Sequence, residues 1–215
     1  MTVLSQTFHR QHLIVSGFLL LITLIGIAGL LYPPTQAFFQ ATTPFYLMLH
    51  VIVLVSFHRH FNRSFWVFAI FTFTVGYLVE VWGVQTGVPF GAYEYQKHLG
   101  PQFFGVPLMI GVNWFMLIYC CGMISEYLPV SKPIKAAGGS LLMVAMDVVI
   151  EPVAIELELW LWEASHVPLQ NYAAWFLISY VMLIVFQYAS FQKTNPLASV
   201  VFIVLLAFFL LLIVL

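Results

Sequence analysis

The chain has 215 residues, of which 62% are hydrophobic and only 7% charged. Soluble globular domains carry about a quarter charged residues, so the composition excludes a soluble enzyme and a disordered chain. A formal net charge of −1 exerts no general pull on polyanions, which excludes a nucleic-acid binder. The reading that remains is an all-α polytopic membrane protein, one transmembrane helical domain over residues 1–215, integral to the cell (inner) membrane and embedded in its lipid bilayer.

A spanning helix needs about 20 mainly apolar residues, and seven stretches are predicted to serve. The first runs from about Leu13 to Leu31 and ends at Pro33-Pro34. Its apolar stretch is too long for a signal peptide and no small-residue cleavage pattern follows, so it is kept as a span. The second runs from about Pro44 to Phe57 and stops at His58-Arg59-His60-Phe61-Asn62-Arg63. That polar cluster reads as a basic loop at anionic headgroups rather than as a metal-binding pair. The third covers about Phe65 to Val84. The fourth covers about Phe104 to Ile124 and holds the adjacent Cys120 and Cys121, which suggest neither a disulfide framework nor a zinc site. The fifth reaches from near Pro133 to about Trp160, the sixth from about Tyr172 to Phe191, and the seventh from Leu197 to Leu215.

With this alternation, Arg10, Arg59, Arg63, Lys132, Lys135 and Lys193 share one side of the membrane, and Lys97 stands alone on the other. The positive-inside rule then predicts a cytoplasmic N-terminus and an outside C-terminus. The two longest connections, about Gln85 to Phe103 and Leu161 to Asn171, fall outside. Both are rich in Gly, Pro and aromatic residues.

Three acids fall inside spans: Glu80, Asp147 and Glu151. An ionisable group in hydrocarbon is costly and is a functional candidate by default. At about 1.5 Å per residue, Glu80 lies roughly 22 Å, Asp147 roughly 20 Å and Glu151 roughly 26 Å from the cytoplasmic starts of their helices. All three therefore belong to the outer half of the membrane. Asp147 and Glu151 are four apart and share a helix face. Pro152 follows and removes a helical hydrogen bond there. Asn113 and His50 reach similar depth from outside. Trp82, Phe90, Tyr93, Tyr95, Trp114, Trp160 and Trp162 would ring the cluster. Glu94, Glu126, Glu156, Glu158 and Glu163 lie nearer the helix ends and are expected in solvent.

The seventh span contains no lysine, so a retinal Schiff base is excluded. No phosphate cradle, nucleophile elbow or zinc motif is present. Proton chemistry on an apolar substrate fits what remains. A carboxylic acid kept neutral by burial protonates an alkene, aromatic faces shelter the cation, and a second carboxylate activates water or removes a proton.

The residues also carry a resemblance. Glu80-x-x-Gly83-x-x-Thr86-Gly87-x-x-Phe90-Gly91-x-Tyr93-x-Tyr95 is followed by Leu99-Gly100, Val106-Pro107 and Asn113-Trp114. Asp147-x-x-x-Glu151-Pro152, Trp160-x-Trp162 and Val167-Pro168-x-x-Asn171-Tyr172 come later, with Thr43-Pro44 upstream. This pattern resembles the carotenoid 1,2-hydratase family over about Thr43 to Trp175. The resemblance implies a cofactor-independent membrane hydro-lyase that adds water to the terminal C1=C2 bond of an acyclic carotenoid end, giving a tertiary alcohol. Its substrate would be of the lycopene, γ-carotene or C50-precursor class, and association with other carotenoid enzymes would be in keeping with it. No metal is expected.

In this reading Glu80, Asp147 and Glu151 are catalytic. Asp147 and Glu151 hold the donated proton, and Glu80 with Asn113 orients water, although the reverse assignment stays open. Asn113, Trp82, Phe90, Tyr93, Tyr95, Trp114, Trp160, Trp162, Asn171 and His50 would bind substrate. A lipid-open groove lined by Phe and Leu is predicted to run inward from the acids. Two alternatives remain: an end-group cyclase with the same protonation step, and a non-catalytic carotenoid- or lipid-binding scaffold.

Overall fold

Prolines open three of the helices, because a residue without an N–H is tolerated in the first turn, where that N–H would lack a helical partner anyway. Pro33, Pro133 and Pro196 hold these positions. The computed structural model describes residues 3–215, with side chains from Arg10 onward. Its helices are α1 (Val3–Leu31), α2 (Pro33–Ser56), α3 (Arg63–Thr86), α4 (Leu108–Ser125), α5 (Lys132–Glu156), α6 (Leu169–Tyr188) and α7 (Pro196–Val214). All seven include a stretch long and apolar enough to cross a membrane.

The boundaries differ from the sequence expectation in instructive places. Pro33-Pro34 ends α1 as expected but starts α2 after the single residue Tyr32. The second span is therefore 24 residues long and Pro44 lies in its interior. Beside Pro44, the Thr42 hydroxyl donates to the Phe39 carbonyl at 3.0 Å. The fourth helix starts at Leu108 instead of Phe104, since Phe104 (φ 51°) and Gly105 (φ 81°) form a turn that no helix accommodates. The fifth ends at Glu156, short of Trp160, where Glu158 turns at φ 53°. The sixth begins at Leu169 and ends at Tyr188 because Pro168 and Ala189, its two caps, are extended.

Helix α4 is the hub. Of its most apolar stretch, 78% is buried within the protein, against 17% for α2. It packs against α2, α3, α5, α6 and α7, whereas α1 leans mainly on α2 and α7. Gly76 of α3 makes one of these contacts possible: a Cβ there would overlap the Trp114 side chain of α4.

One end of the bundle carries all the Lys and Arg residues except Lys97. Asn62 there caps α3 by accepting from the Phe65 N–H at 2.9 Å, and its amide donates to the Ser190 carbonyl in the α6–α7 connection at 2.7 Å. His58 is not a headgroup residue. It is 3% exposed, stacked on Phe65, and donates from Nε2 to the His60 carbonyl at 3.2 Å. With that tautomer, Nδ1 accepts from Tyr119 Oη at 2.8 Å. Asn195 donates to the same Tyr119 oxygen and to the Leu54 carbonyl.

The opposite end is closed by a cap. Strand β1 (Tyr93–Tyr95) pairs antiparallel with β4 (Trp160–Trp162), and β2 (Gln102–Phe103) pairs with β3 (Val106–Pro107). The register sets Tyr93 opposite Trp162 and Tyr95 opposite Trp160. Alternate residues of a strand share a face, so these four aromatics turn one way while Glu94 and Leu161 turn to solvent. Between β1 and β2 a short 3-10 turn, Lys97–Leu99, packs on α2; a Cβ on Gly100 would stand 3.7 Å from Pro44.

Candidate active site

Beneath the cap lies a small chamber. Glu80 of α3 and Asp147 and Glu151 of α5 all line it, and they are 3%, 1% and 3% exposed. Buried carboxyls need donors, and each finds its own. Glu80 takes three. Tyr93 and Tyr95 donate to Oε2, the latter at 2.8 Å, and Trp114 Nε1 donates to Oε1 at 2.9 Å. Glu151 Oε2 accepts from Trp160 Nε1 at 3.0 Å and Trp162 Nε1 at 2.9 Å. Among the described residues, Asp147 Oδ2 accepts only from Asn171 Nδ2, at 2.7 Å. Among the described residues no hydrogen bond joins Asp147 to Glu151. Each carboxyl is turned to a different donor.

The local fold supplies these donors. Gly83, one turn after Glu80, leaves room for the Phe90 ring, and a Cβ there would meet the Tyr93 hydroxyl at 2.9 Å. Gly87 ends α3 in the left-handed region at φ 72°, where its missing Cβ removes the penalty, and turns the chain back over Glu80. The β1–β4 register then delivers two phenols to Glu80 and two indoles to Glu151 from one ribbon. Burial first, and the Glu80 charge second, push the Tyr93 and Tyr95 hydroxyls well above their ordinary value, so both stay protonated as donors.

The rings form a continuous lining. Trp114 stacks on Trp175 at 4.6 Å and 24°, Tyr93 tilts against Trp162 at 5.0 Å, and Phe90 meets Tyr93 edge-on at 6.1 Å. Asn113 also lines the chamber, beside Ile110 and Ile150. Among the described residues no three His, Cys, Asp or Glu side chains are grouped closely enough to hold a metal ion.

Of the residues expected at the site, the structure brings together Glu80, Asp147, Glu151, Asn113, Phe90, Tyr93, Tyr95, Trp114, Trp160, Trp162 and Asn171. Two are not there. Trp82 is 60% exposed, because two residues along a helix turn it nearly to the opposite face from Glu80. His50 is buried on α2, donates from Nδ1 to the Tyr46 carbonyl at 2.8 Å, and is not part of the chamber wall. Trp175 was missed. Its signal was the four-residue step from Asn171, which puts both on one face of α6. Glu94, Glu156, Glu158 and Glu163 are exposed as expected, while Glu126 is half-buried and bridged to Lys135 at 2.9 Å.

Comparison with known proteins is consistent over most of the chain. The family described as carotenoid biosynthesis protein matches residues 42–215. A relative, bisanhydrobacterioruberin hydratase of Haloarcula japonica, is 30% identical over 120 residues, which is 52% of this chain and 41% of the relative. The match thus spans less than half the length of that curated protein. No solved structure matches.

Proposed function

Since the chain belongs to the carotenoid biosynthesis protein family, we propose that it hydrates the terminal C1=C2 bond of an acyclic carotenoid end group. The observation that carries this reading is the meeting of three buried carboxyls with aromatic faces in one chamber. The similarity to a protein named as a hydratase supports it further.

The donor count suggests the roles. A carboxyl that accepts several N–H and O–H donors is stabilised as the anion, and Glu80 accepts three where Asp147 accepts one. Asp147, one helical turn from Glu151, carries the proton. It passes to C2 of the alkene, leaving a tertiary cation at C1. The indole and phenol faces stabilise that cation. Water, oriented by Asn113 and Glu80, bonds to C1 and gives its proton to Glu80. The proton returns to Asp147 through solvent or Glu151 to reset the site. The sum is one water added, with no change of oxidation state, so the chemistry calls for no redox cofactor.

In the same reading the basic end of the bundle faces the cytoplasm and the capped end faces outward. Producing the protein in cells that accumulate lycopene, with product mass as the readout, tests the proposal. A gain of one water supports it. An unchanged mass with a new ring identifies a cyclase, and unmodified pigment identifies a binding scaffold; either result removes the hydratase.

A further inference from the structure

The acid chamber is too small for a whole carotenoid, and its cap closes it from the end of the bundle. Two more cavities adjoin it in turn through shared wall residues. The second shares Ile110, Asn113, Ile150 and Trp160 with the acid chamber. It runs between α2, α4, α5 and α7, and nearly all of its wall is aliphatic or aromatic, with Leu205 and Phe209 on its α7 side. The third shares Thr43, Tyr46 and Phe208 with the second. It is a groove between α1 and α2, lined on the α1 side by Ile22, Gly26 and Leu30. Helix α2 is the least buried of the seven spans, so this groove is at the face of the bundle that lipid would cover.

Each cavity shares wall residues with the next, so the three form one series from the carboxyls to that face. A conjugated polyene is stiff and apolar. It cannot fold into a compact site and must be drawn in end-first from the bilayer core.

Thr43, Tyr46 and Phe208 stand where the wall of the groove meets that of the inner cavity. The Tyr46 hydroxyl donates at 2.8 Å to Thr23 Oγ1, which itself donates to the Leu19 carbonyl at 2.7 Å. The Tyr46 ring leans on Phe208 at 5.4 Å. One neutral hydrogen bond, between α1 and α2, therefore holds the ring where the two cavities share their wall.

Resting on the carotenoid reading above, we infer that the polyene enters end group first from the lipid face through the α1–α2 groove, past a Tyr46–Phe208 gate, and lies in the apolar cavity with its end group among the carboxyls. This makes the α1–α2 hairpin part of the substrate path.

Polyene binding tests the path separately from the chemistry. Purified protein in detergent is mixed with lycopene-loaded vesicles, and the retained pigment is measured by its absorption. A Cβ at Gly26 would stand 3.9 Å from the Phe208 ring, an ordinary contact, so Gly26→Ala is harmless whereas Gly26→Phe fills the groove. Gly26→Phe is expected to retain about tenfold less pigment, with Gly26→Ala near normal. Phe208→Ala, which widens the gate, is expected to load faster. Normal loading by a monodisperse Gly26→Phe protein, or unchanged loading by Phe208→Ala, overturns the path. Pigment that loads through the groove in wild type but never gains water leaves the path standing and removes the hydratase reading instead.

Discussion

At the scale of single residues, the proposed chemistry divides the three acids according to their hydrogen-bond donors. Glu80→Gln, Asp147→Asn and Glu151→Gln preserve shape and remove the exchangeable acid. Loss of a general acid or base costs about 10²–10⁴ in rate, so each variant should accumulate as folded protein and leave carotenoid largely unconverted. Glu163→Gln, at an exposed site beyond β4, should convert normally. Full activity in two of the three amide variants would make the cluster a packing device. Tyr95→Phe is a milder probe. It removes one of three donors to Glu80, and the loss of one hydrogen bond to a charged group is about 1.5–3 kcal/mol. Turnover should fall by roughly 10- to 150-fold while the protein still folds.

Individual elements explain why these donors are in place. The packing of α3 on α4 depends on Gly76 directly beside Trp114. Gly76→Val would drive Trp114 away from Glu80, and overpacking of this kind costs about 1–3 kcal/mol. A lower melting temperature together with lower turnover is expected. A lower melting temperature alone would mean that Trp114 is dispensable to the chemistry. The α2–α3 connection holds a second testable device. Burial, and then the neighbouring His60, depress His58 below its usual range despite the His60 carbonyl it donates to. A histidine held neutral when folded contributes stability that is present above its unfolded value, about 6.5, and is lost as pH falls below it. Melting temperature should therefore drop on acidification from about pH 7 to about pH 5. The drop should flatten in His58→Gln, which keeps a hydrogen-bonding side chain but does not titrate. An equal drop in both proteins would place the acid sensitivity elsewhere.

On the scale of the whole molecule, antiparallel helices sort the charges. Six of the seven Lys and Arg residues lie at the end away from the aromatic cap. The positive-inside rule predicts from this a cytoplasmic N-terminus and an outside C-terminus. Phosphatase and fluorescent-protein fusions at each end give the readout: the C-terminal phosphatase should be active and the C-terminal fluorophore dark. A bright C-terminal fluorophore would invert the orientation and put the acid chamber on the cytoplasmic side.

Composition and spacing alone determined the seven spans, the alternation of the basic residues and the three anomalous acids, because an apolar run of spanning length and an acid within it are local facts. The motif from Glu80 to Tyr95 was specific enough to indicate the family that residues 42–215 match. Tertiary structure alone decided which groups face the chamber. Trp82 and Trp114 look equivalent as tryptophans near the outer face, yet helix rotation sends one to the periphery and the other to Glu80. The ends of α4 and α5 were misjudged for a related reason. Phe104 and Trp160 are apolar enough to extend a span, but the turn at Phe104-Gly105 and the pairing of Trp160 with Tyr95 in the cap draw them out of the helices. His50 and His58 were read from depth and charge, whereas their roles depend on the Tyr46 carbonyl and the Tyr119 hydroxyl. Such partnerships join segments distant in sequence or follow from the direction in which a helix turns a side chain. Hydropathy, which averages over a window, carries neither.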